Sequence, residues 1–216
     1  AHEINNPLAV VAEKAGLVKD LLDPRFARKA RPEVLQGHLD SIEEAVYRST
    51  DITRQLLGFV RQRDVELKET DLHRLIDDLV DGLLGPELEV ADIAVLKQYD
   101  PRLPDIVTDP GQLRQVVLNL LKNAADSIAG PGIITITTEK SADRFTLKVA
   151  DTGHGMTAEE LEMVFIPFFT TKAPGKGTGL GLSVSYGIVE GLGGHLSVVS
   201  EHEEGSEFTV DLPLRS

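Results

Sequence analysis

The chain contains no cysteine among its 216 residues. Without thiols it can form neither a disulfide framework nor a thiolate zinc site, and it has no cysteine nucleophile. Such a composition is compatible with the cytosol, where disulfides are rare. Any chemistry that the chain performs must therefore rest on other side chains.

Positive charge is also scarce. The 22 lysines and arginines face 35 aspartates and glutamates, which gives a formal net charge of −13. A surface field of this sign repels nucleic acids and anionic membrane surfaces. We expect no nucleic-acid partner and no membrane contact, and a polyanionic small ligand would have to be held by donors gathered locally.

Long apolar runs are absent from the sequence as well. No stretch approaches the ~20 apolar residues that cross a bilayer, and no charged segment followed by an apolar one opens the chain. Apolar residues still make up 41% of the chain, enough to fill the core of one ordinary domain and a smaller one. We therefore expect a soluble, folded chain.

Two segments near the start carry apolar residues at alternating steps of three and four, the period of a helical bundle seam. They cover residues 4–22 and 35–60, and Pro32 is placed to open the second helix. Such a hairpin has too little apolar surface to be stable alone, and pairing with a second copy gives a four-helix bundle. We predict a homodimer through residues 1–63. A hairpin that packs only on its own second domain is the alternative.

After a charged linker at residues 64–70, helical and strand patterns alternate through residues 71–216. The predicted helices are 71–84, 110–129, 157–163 and 179–192, and the predicted strands are 93–99, 132–139, 144–150, 194–200 and 206–213. Helices on one mixed sheet make a two-layer α/β sandwich. The predicted fold class is therefore α+β: an antiparallel helical hairpin, half of a dimeric four-helix bundle, followed by this sandwich.

The long helix carries a polar stripe, Gln115, Asn119 and Asn123, in which each residue is four positions on. Asparagine lowers helix propensity, so two of them in mid-helix need a reason. Carboxamide oxygens suit Mg²⁺, which binds few protein groups alongside phosphates. Taken alone, the stripe is better explained as a solvated polar face.

Two glycine-containing segments follow. Asp151-Thr-Gly153-His-Gly155 comes directly after a predicted strand, where the glycines permit a sharp turn and the carboxylate can accept a hydrogen bond from an exocyclic amine such as that of adenine. An ordinary Asp-x-Gly turn is the alternative. We interpret His154 as a loop residue, because no His, Cys or carboxylate partner stands at metal-ligand spacing.

The second segment, residues 173–183, places alternating glycines before the last predicted helix, where free backbone amides and the helix dipole can cradle phosphate. Its spacing excludes a dinucleotide fingerprint, and Lys176 lacks the following Ser or Thr of a Walker loop. The aromatic residues 165–172 just upstream end in a lysine. We interpret them as the hinge of a mobile lid with Lys172 and Lys176 as phosphate contacts; phenylalanines packed in the core with exposed lysines are the alternative.

At the start of the chain, His2 and Asn6 lie one turn apart on a helix face, with Glu3 beside His2. A neutral imidazole is a good nucleophile near neutral pH, and an adjacent carboxylate can take the ring proton. Pro7 removes the amide that would bond the carbonyl of Glu3, which loosens the helix there. Taken alone, this histidine is an ordinary surface residue.

Together these segments resemble the sensor histidine kinases of two-component systems over essentially the whole chain. In order, they look like the family's H box, N box, first glycine box, F box and second glycine box; these are residues 2–8, 115–124, 151–155, 165–172 and 177–182. The resemblance implies a histidine-kinase-like, Bergerat-type ATP-binding fold after a dimerisation and phosphoacceptor hairpin. It also implies ATP and Mg²⁺ as cofactors.

By the same resemblance, ATP phosphorylates His2 and the phosphoryl group passes to the receiver aspartate of a response regulator. Glu3 is the implied base, Asn6 aids kinase or phosphatase geometry, and Asn123 with Asn119 holds Mg²⁺. Asp151 is the implied reader of adenine. The implied ATP-binding residues are Asn119, Lys122, Asn123, Asp151, Gly153, Gly155, Lys172, Lys176, Gly177, Thr178, Gly179, Leu180, Gly181 and Ser206.

Two departures from the family pattern qualify these expectations. The family's first helix continues upstream of its histidine, so we expect a truncated bundle and a chain that is the cytoplasmic part of a larger sensor. Ser206 stands where the family usually has threonine, and it keeps the hydroxyl.

Two alternative functions stay open. One is an ATPase or protein serine kinase of the same superfamily, and the other is a nucleotide-binding scaffold without catalysis. The related ATPases carry a water-activating glutamate where this chain has Asn119, which cannot act as a base at neutral pH. That difference favours phosphoryl transfer to an acceptor.

Overall fold

The computed structural model of the chain describes residues 2–22, 32–60, 66–172 and 177–214. The chain divides into two compact units, Ala1–Arg61 and Gln62–Ser216. In its described part the first unit is helical, and the second combines helices with strands. Among the described residues, none of the helices has the length and apolar character needed to cross a membrane.

The first unit contains the two predicted helices, α1 (His2–Leu22) and α2 (Pro32–Val60), which pack against each other. Pro32 occupies the start of α2, where its missing amide would have no helical partner. Several members of the predicted seam remain exposed, with 63% of Leu22, 49% of Leu39 and 48% of Val46 accessible to solvent. The pair of helices therefore leaves part of its apolar stripe uncovered.

The second unit is built on two sheets. Its strands are β1 (Lys68–Thr70), β2 (Ile93–Gln98), β3 (Ile106–Thr108), β4 (Gly132–Lys140), β5 (Arg144–Asp151), β6 (His195–Glu201) and β7 (Gly205–Pro213). The larger sheet has the order β2-β4-β5-β7-β6, with β2 parallel to β4 and the other neighbours antiparallel. The two short strands β1 and β3 pair separately. The predicted mixed sheet is confirmed.

Helices cover one face of this sheet. The helices of this unit are α3 (Leu72–Asp77), a π-helical segment (Asp78–Leu84), α4 (Gly85–Val90), α5 (Pro110–Ser127), α6 (Ala158–Met163) and α7 (Gly181–Gly191), and the sheet is contacted by α4, α5 and α7. The apolar stripe of α5 is buried completely or nearly so, and α5 also contacts α7 and the central strands. Residues alternate between buried and partly exposed along β5 and β7, as expected for a sheet with helices on one face only.

The N-terminus of α5 is defined by Asp109, whose side chain accepts hydrogen bonds from the amides of Gly111 and Gln112 at 3.0 Å each. Pro110 takes the first helical position, and its fixed φ suits that place. The helix ends at Ser127, three residues before Gly130 with its φ of +102°. Asp109, Pro110 and Gly130 thus mark the two ends of α5, and the bounds of the helix determine the direction of its side chains.

The structure differs from the sequence prediction in four details. Residues 68–70, assigned to the linker, form β1, and β3 was not predicted at all, because strands of three residues depend on a distant partner. The predicted helix 71–84 becomes π-helical at Asp78 and is followed by α4. The helix predicted from residue 179 starts at Gly181, because Gly179 has a φ of +64° that no α-helix contains.

Candidate nucleotide-binding site

The Asp151 carboxylate stands at the end of β5 and is only 7% exposed. Its Oδ1 atom accepts hydrogen bonds from the Ser127 hydroxyl and from the Gly153 amide, both at 2.8 Å. Burial raises the pKa of Asp151, and the hydrogen bonds from Ser127, Gly153 and the Ser206 backbone counter this only in part. The result is a buried acceptor whose donors are all neutral groups.

The turn after Asp151 fits glycine alone at two places. Gly155 has a φ of +62°, and a Cβ there would lie 1.9 Å from the carbonyl oxygen of Glu201. A Cβ on Gly153 would lie 2.1 Å from the Ser127 hydroxyl. The turn thus packs closely against the end of α5 and against the β6–β7 hairpin. Its two glycines also leave the backbone without side chains that would keep a ligand away.

His154, between these glycines, is exposed, and its Nδ1 atom lies 2.6 Å from the carbonyl oxygen of Gly155. No group of three or more His, Asp or Glu side chains that could hold a metal ion occurs among the residues that the structure describes. The placement agrees with the interpretation of His154 as a loop residue.

Ser206 lies beside Asp151, because the β5–β7 register pairs these two residues. Its side chain is buried, and its hydroxyl lies 2.9 Å from that of Ser200. Ser200 donates to the carbonyl of Gly205 at 2.8 Å, so Ser206 donates in the bond between the two hydroxyls. The predicted residues Asp151, Gly153, Gly155 and Ser206 therefore form one cluster.

The polar stripe of α5 faces α7. Asn119 donates from Nδ2 to the carbonyl of Gly181 at 3.0 Å and to the Ser185 hydroxyl at 3.1 Å, which leaves its Oδ1 atom as an acceptor. Asn123 is half-buried, and its side chain makes no hydrogen bond to any residue within the described ranges. Lys122 is exposed on α5 and forms no ion pair with a described residue. Two carboxamide oxygens on α5 are thus available to a cation, which fits the chemistry of Mg²⁺.

The glycine-rich loop before α7 is bound to the aromatic segment. A Cβ on Gly179 would lie 2.4 Å from the carbonyl carbon of Phe168, and the Phe168 amide donates to the Gly179 carbonyl at 2.9 Å. Thr178 accepts from the Leu180 amide at 3.4 Å, and the Leu180 side chain is buried. The loop leads directly into the N-terminus of α7 at Gly181.

Two lysines, Lys172 and Lys176, are predicted to contact phosphate. The Lys172 ammonium lies 2.5 Å from a carboxylate oxygen of Asp126 on α5. Lys176 lies outside the described residues. Gly177, the first described residue after it, packs against Thr170 and Lys172. Lys172 therefore has a local counter-ion that a phosphate group would have to replace.

The aromatic segment is partly packed and partly exposed. Phe165 packs against the core, and its ring centroid lies 5.3 Å from that of Tyr186 on α7. By contrast, 43% of Phe168 and 52% of Ile166 remain exposed. One ring anchors the segment while its tip is open to solvent.

The remaining predicted residues belong to the other unit. His2, Glu3 and Asn6 lie within α1, but their side chains fall outside what the structure describes. Their proposed roles therefore remain predictions.

The residues around Asp151 and along α5 fit a nucleotide: a buried acceptor for a base, a turn that admits no side chain, and a helix N-terminus for phosphates. The sequence profile of the family described as "Histidine kinase-, DNA gyrase B-, and HSP90-like ATPase" matches residues 108–216, about half of the chain. The chain belongs to this ATPase family. The matched range starts at the last residue of β3 and contains α5 and every element that follows.

Named relatives of this ATPase-family chain are sensor kinases. Sensor histidine kinase ZraS of Escherichia coli (strain K12) is 35% identical over 218 residues, which cover 99% of this chain and 44% of that protein. Sensor kinase CckA of Brucella abortus (strain 2308) is 34% identical over 228 residues, which cover 99% of this chain and 23% of that protein. The chain thus spans less than half of either relative.

A solved histidine kinase structure has a similar fold. Histidine kinase ThkA, in its complex with response regulator protein TrrA, is similar with a TM-score of 0.78 and 27% identity, over 100% of this chain and 60% of that chain. The predicted resemblance to sensor histidine kinases and the predicted fold are confirmed.

Sequence reasoning missed several residues that support the site. Ser127, Ser185 and Ser200 hold Asp151, Asn119 and Ser206 respectively, and Asp126 holds Lys172. A signal existed for Ser127, which extends the four-residue steps of the α5 stripe by one turn. Ser185 and Asp126 meet their partners across 66 and 46 positions, and Ser200 meets Ser206 through the pairing of β6 with β7, so none of the three carries a local pattern.

Proposed function

We propose that this chain contains the phosphoacceptor and ATP-binding parts of a sensor histidine kinase. It transfers the γ-phosphoryl group of ATP to His2, and the group then passes to the receiver aspartate of a response regulator. The observation that carries the proposal is the buried Asp151 carboxylate, held by neutral donors at the end of β5 in a domain of the ATPase family. Its named relatives support the kinase class.

ATP binds along α5 in this proposal. Asp151 accepts a hydrogen bond from the exocyclic amine of adenine, and the glycine turn lets the base approach the backbone. The amides at the start of α7 face the phosphates, with the helix dipole adding to their attraction. Lys172 exchanges its bond with Asp126 for a phosphate oxygen, and Lys176 offers a second cation.

Asn123, with the free Oδ1 atom of Asn119, would hold Mg²⁺. When bound, the ion neutralises charge on the phosphate oxygens. Asn119 is itself kept in position by its bonds to Gly181 and Ser185. No carboxylate stands at position 119 to activate water, which favours transfer to a protein acceptor over hydrolysis.

The acceptor is the imidazole of His2. Its ring nitrogen forms the bond to phosphorus while ADP leaves, and Glu3 takes the proton from the ring. Asn6 lies one turn further along the same helix and helps to position the groups that react or the water that later removes the phosphoryl group. The chain thus mainly positions groups and neutralises charge, as phosphoryl transfer demands.

The first unit is proposed to form a homodimer. The pairing of α1 with α2 leaves 48% to 63% of seam residues Leu22, Leu39 and Val46 exposed, and a second hairpin would cover them. The cytoplasm is the proposed location, because ATP and a response regulator would both be met there. The relative ThkA is described in complex with a response regulator protein, TrrA, which supports the same kind of partner here.

The decisive experiment incubates the chain with γ-labelled ATP and follows the label. We expect acid-labile, base-stable label on the protein, lost in His2→Gln while ATP binding is unchanged. Label released only as inorganic phosphate would favour the ATPase alternative and contradict the proposal. ATP binding without label on protein or in phosphate would favour the scaffold.

A further inference from the structure

Ser127 ends α5 and touches the glycine turn at two points. Its hydroxyl lies 2.8 Å from Oδ1 of Asp151, and its backbone carbonyl accepts from the His154 amide at 3.1 Å. The close approach is possible because Gly153 has no Cβ, which would stand 2.1 Å from the Ser127 hydroxyl. Ser127 thereby joins the helix of the polar stripe to the turn that carries the buried carboxylate.

Two of the three protein donors to Asp151 fall on the same oxygen atom. Ser127 and Gly153 both bond Oδ1, and the third donor is the backbone amide of Ser206. An ionised carboxylate has about four acceptor positions shared by its two oxygens, so the two donors on Oδ1 fill that atom and Oδ2 keeps a position beyond the bond from Ser206. The carboxylate is therefore held mainly through Oδ1, and Oδ2 can accept from a ligand.

The Ser127 hydroxyl has one hydrogen and two acceptors within reach. The carbonyl oxygen of Ala124 lies 2.7 Å away and Oδ1 of Asp151 lies 2.8 Å away. A hydrogen bond to an ionised carboxylate is about twice as strong as one to a neutral acceptor, so the hydrogen is drawn to Asp151. Gly153 contributes only a backbone amide, which leaves Ser127 as the side chain on which the orientation depends.

We propose that Ser127 is a positioning residue for base recognition: it fixes Oδ1 of Asp151 so that Oδ2 faces the exocyclic amine of adenine. This inference rests on the proposed function, since it assumes that Asp151 reads that amine. Ser127 acts through Asp151 and does not touch the nucleotide itself. It therefore governs the choice of base more than the binding of the phosphates.

The test compares ATP with purine riboside triphosphate, which has the same phosphates and lacks the exocyclic amine. In Ser127→Ala we expect ATP affinity to fall about five- to tenfold while affinity for the analogue changes less than about twofold. Calorimetric titration of the whole chain measures both. Equal losses for the two nucleotides, or no loss for either, would overturn the proposal.

Two further variants complete the design. The control is Ser41→Ala in α2. The Ser41 hydroxyl lies 2.8 Å from a carbonyl oxygen of its own helix, as the Ser127 hydroxyl lies near that of Ala124. Its removal should leave both affinities unchanged. Should Ser127→Ala fail to fold in a thermal scan, Ser127→Cys keeps a side chain of similar size with a weaker donor, and it should show the same selective loss.

The wild-type chain separates this inference from the function on which it rests. Failure of the wild type to bind ATP, or equal affinity for ATP and the analogue, would count against Asp151 as the reader of adenine. A wild type that prefers ATP, with a Ser127→Ala variant that keeps the full preference, would count against Ser127 alone.

Discussion

At the scale of single residues, the burial of the Asp151 carboxyl comes at the expense of stability. Burial raises the pKa of this carboxyl, so the folded state holds the negative charge less favourably than the unfolded chain does. A folded pKa above the unfolded one contributes stability that is present below the unfolded pKa and is lost as the pH rises through the folded pKa. In its ionised form, Asp151 therefore lowers the stability of the folded state.

Replacing this residue should separate binding from stability. Asp151→Asn keeps an oxygen for Ser127 and Gly153 but turns an amide donor towards the amine of adenine, so we expect ATP affinity to fall by about 10- to 100-fold. The melting temperature at neutral pH should stay the same or rise, because the buried charge is gone. Calorimetric titration and a thermal scan measure the two effects. A lower melting temperature with unchanged ATP affinity would contradict both expectations.

At the scale of elements, α5 carries the polar stripe of the candidate site on one helix. Its apolar stripe is buried, and Asn119, Asn123 and Ser127 follow one another along its polar side. Asp109 fixes where the helix starts and therefore how these side chains are directed. Its carboxylate also accepts from the amide of Glu66 at 3.1 Å, which ties the segment before β1 to α5. A local cap thus sets the register of the polar stripe.

The charge on this cap predicts an acid dependence. Burial acts to raise the pKa of Asp109, but hydrogen bonds from the amides of Gln112, Glu66 and Gly111 outweigh it and hold the pKa below its usual value. A lowered folded pKa contributes stability that is present above the unfolded pKa and is lost as the pH falls through the folded one. The cap should therefore weaken in acid, below the ordinary range of an aspartate.

We expect Asp109→Ala to lower the free energy of unfolding by about 1 kcal/mol at neutral pH, the usual cost of losing a helix cap. Asp109→Asn is the matched control, since it keeps a capping oxygen without the charge. Urea unfolding at neutral pH and at the acid end tests both. The difference between wild type and Asp109→Asn should shrink as the pH falls, and a difference that grows would refute the assignment.

At the scale of the whole molecule, the chain consists of two units with different means of stability. The unit Gln62–Ser216 has a continuous apolar core between its sheet and helices. In the unit Ala1–Arg61, Pro7 and Ala45 are buried among the side chains that the structure describes, and seam residues remain open to solvent. This difference supports the proposal that the first unit self-associates and the second binds the ligand.

Charges placed in the seam should break the proposed dimer. In the double variant Leu39→Glu and Val46→Glu, two unpaired carboxylates would be buried on association, so we expect the dissociation constant to rise at least about tenfold. Sedimentation over a range of concentrations measures it. Val199→Glu is the control: Val199 on β6 is 74% exposed, and its substitution should leave the dimer intact. A wild-type chain that stays monomeric throughout would refute the proposal.

Much of the fold and of the site follows from local pattern. Periods near 3.6 and 2 along the chain predict α5, β4, β5, β6 and β7 to within two residues at each end, because side-chain direction follows from helix and strand geometry. The short strands β1 and β3 escape such reasoning, since three residues carry no period and owe their form to each other. The same holds for the π-helical turn at Asp78–Leu84, which interrupts a sequence that reads as a regular helix.

The sequence by itself determined which chemical groups the site has to work with: the carboxamides on one side of α5, the carboxylate at the end of β5 and the glycines around it. Tertiary structure alone decided how they are held. The bond from Ser127 to Asp151 spans 24 positions, that from Lys172 to Asp126 spans 46, and that from Asn119 to Gly181 spans 62. Spacing along the chain fixes the direction of neighbouring side chains, whereas contacts between distant residues form only when helix and sheet pack into one core.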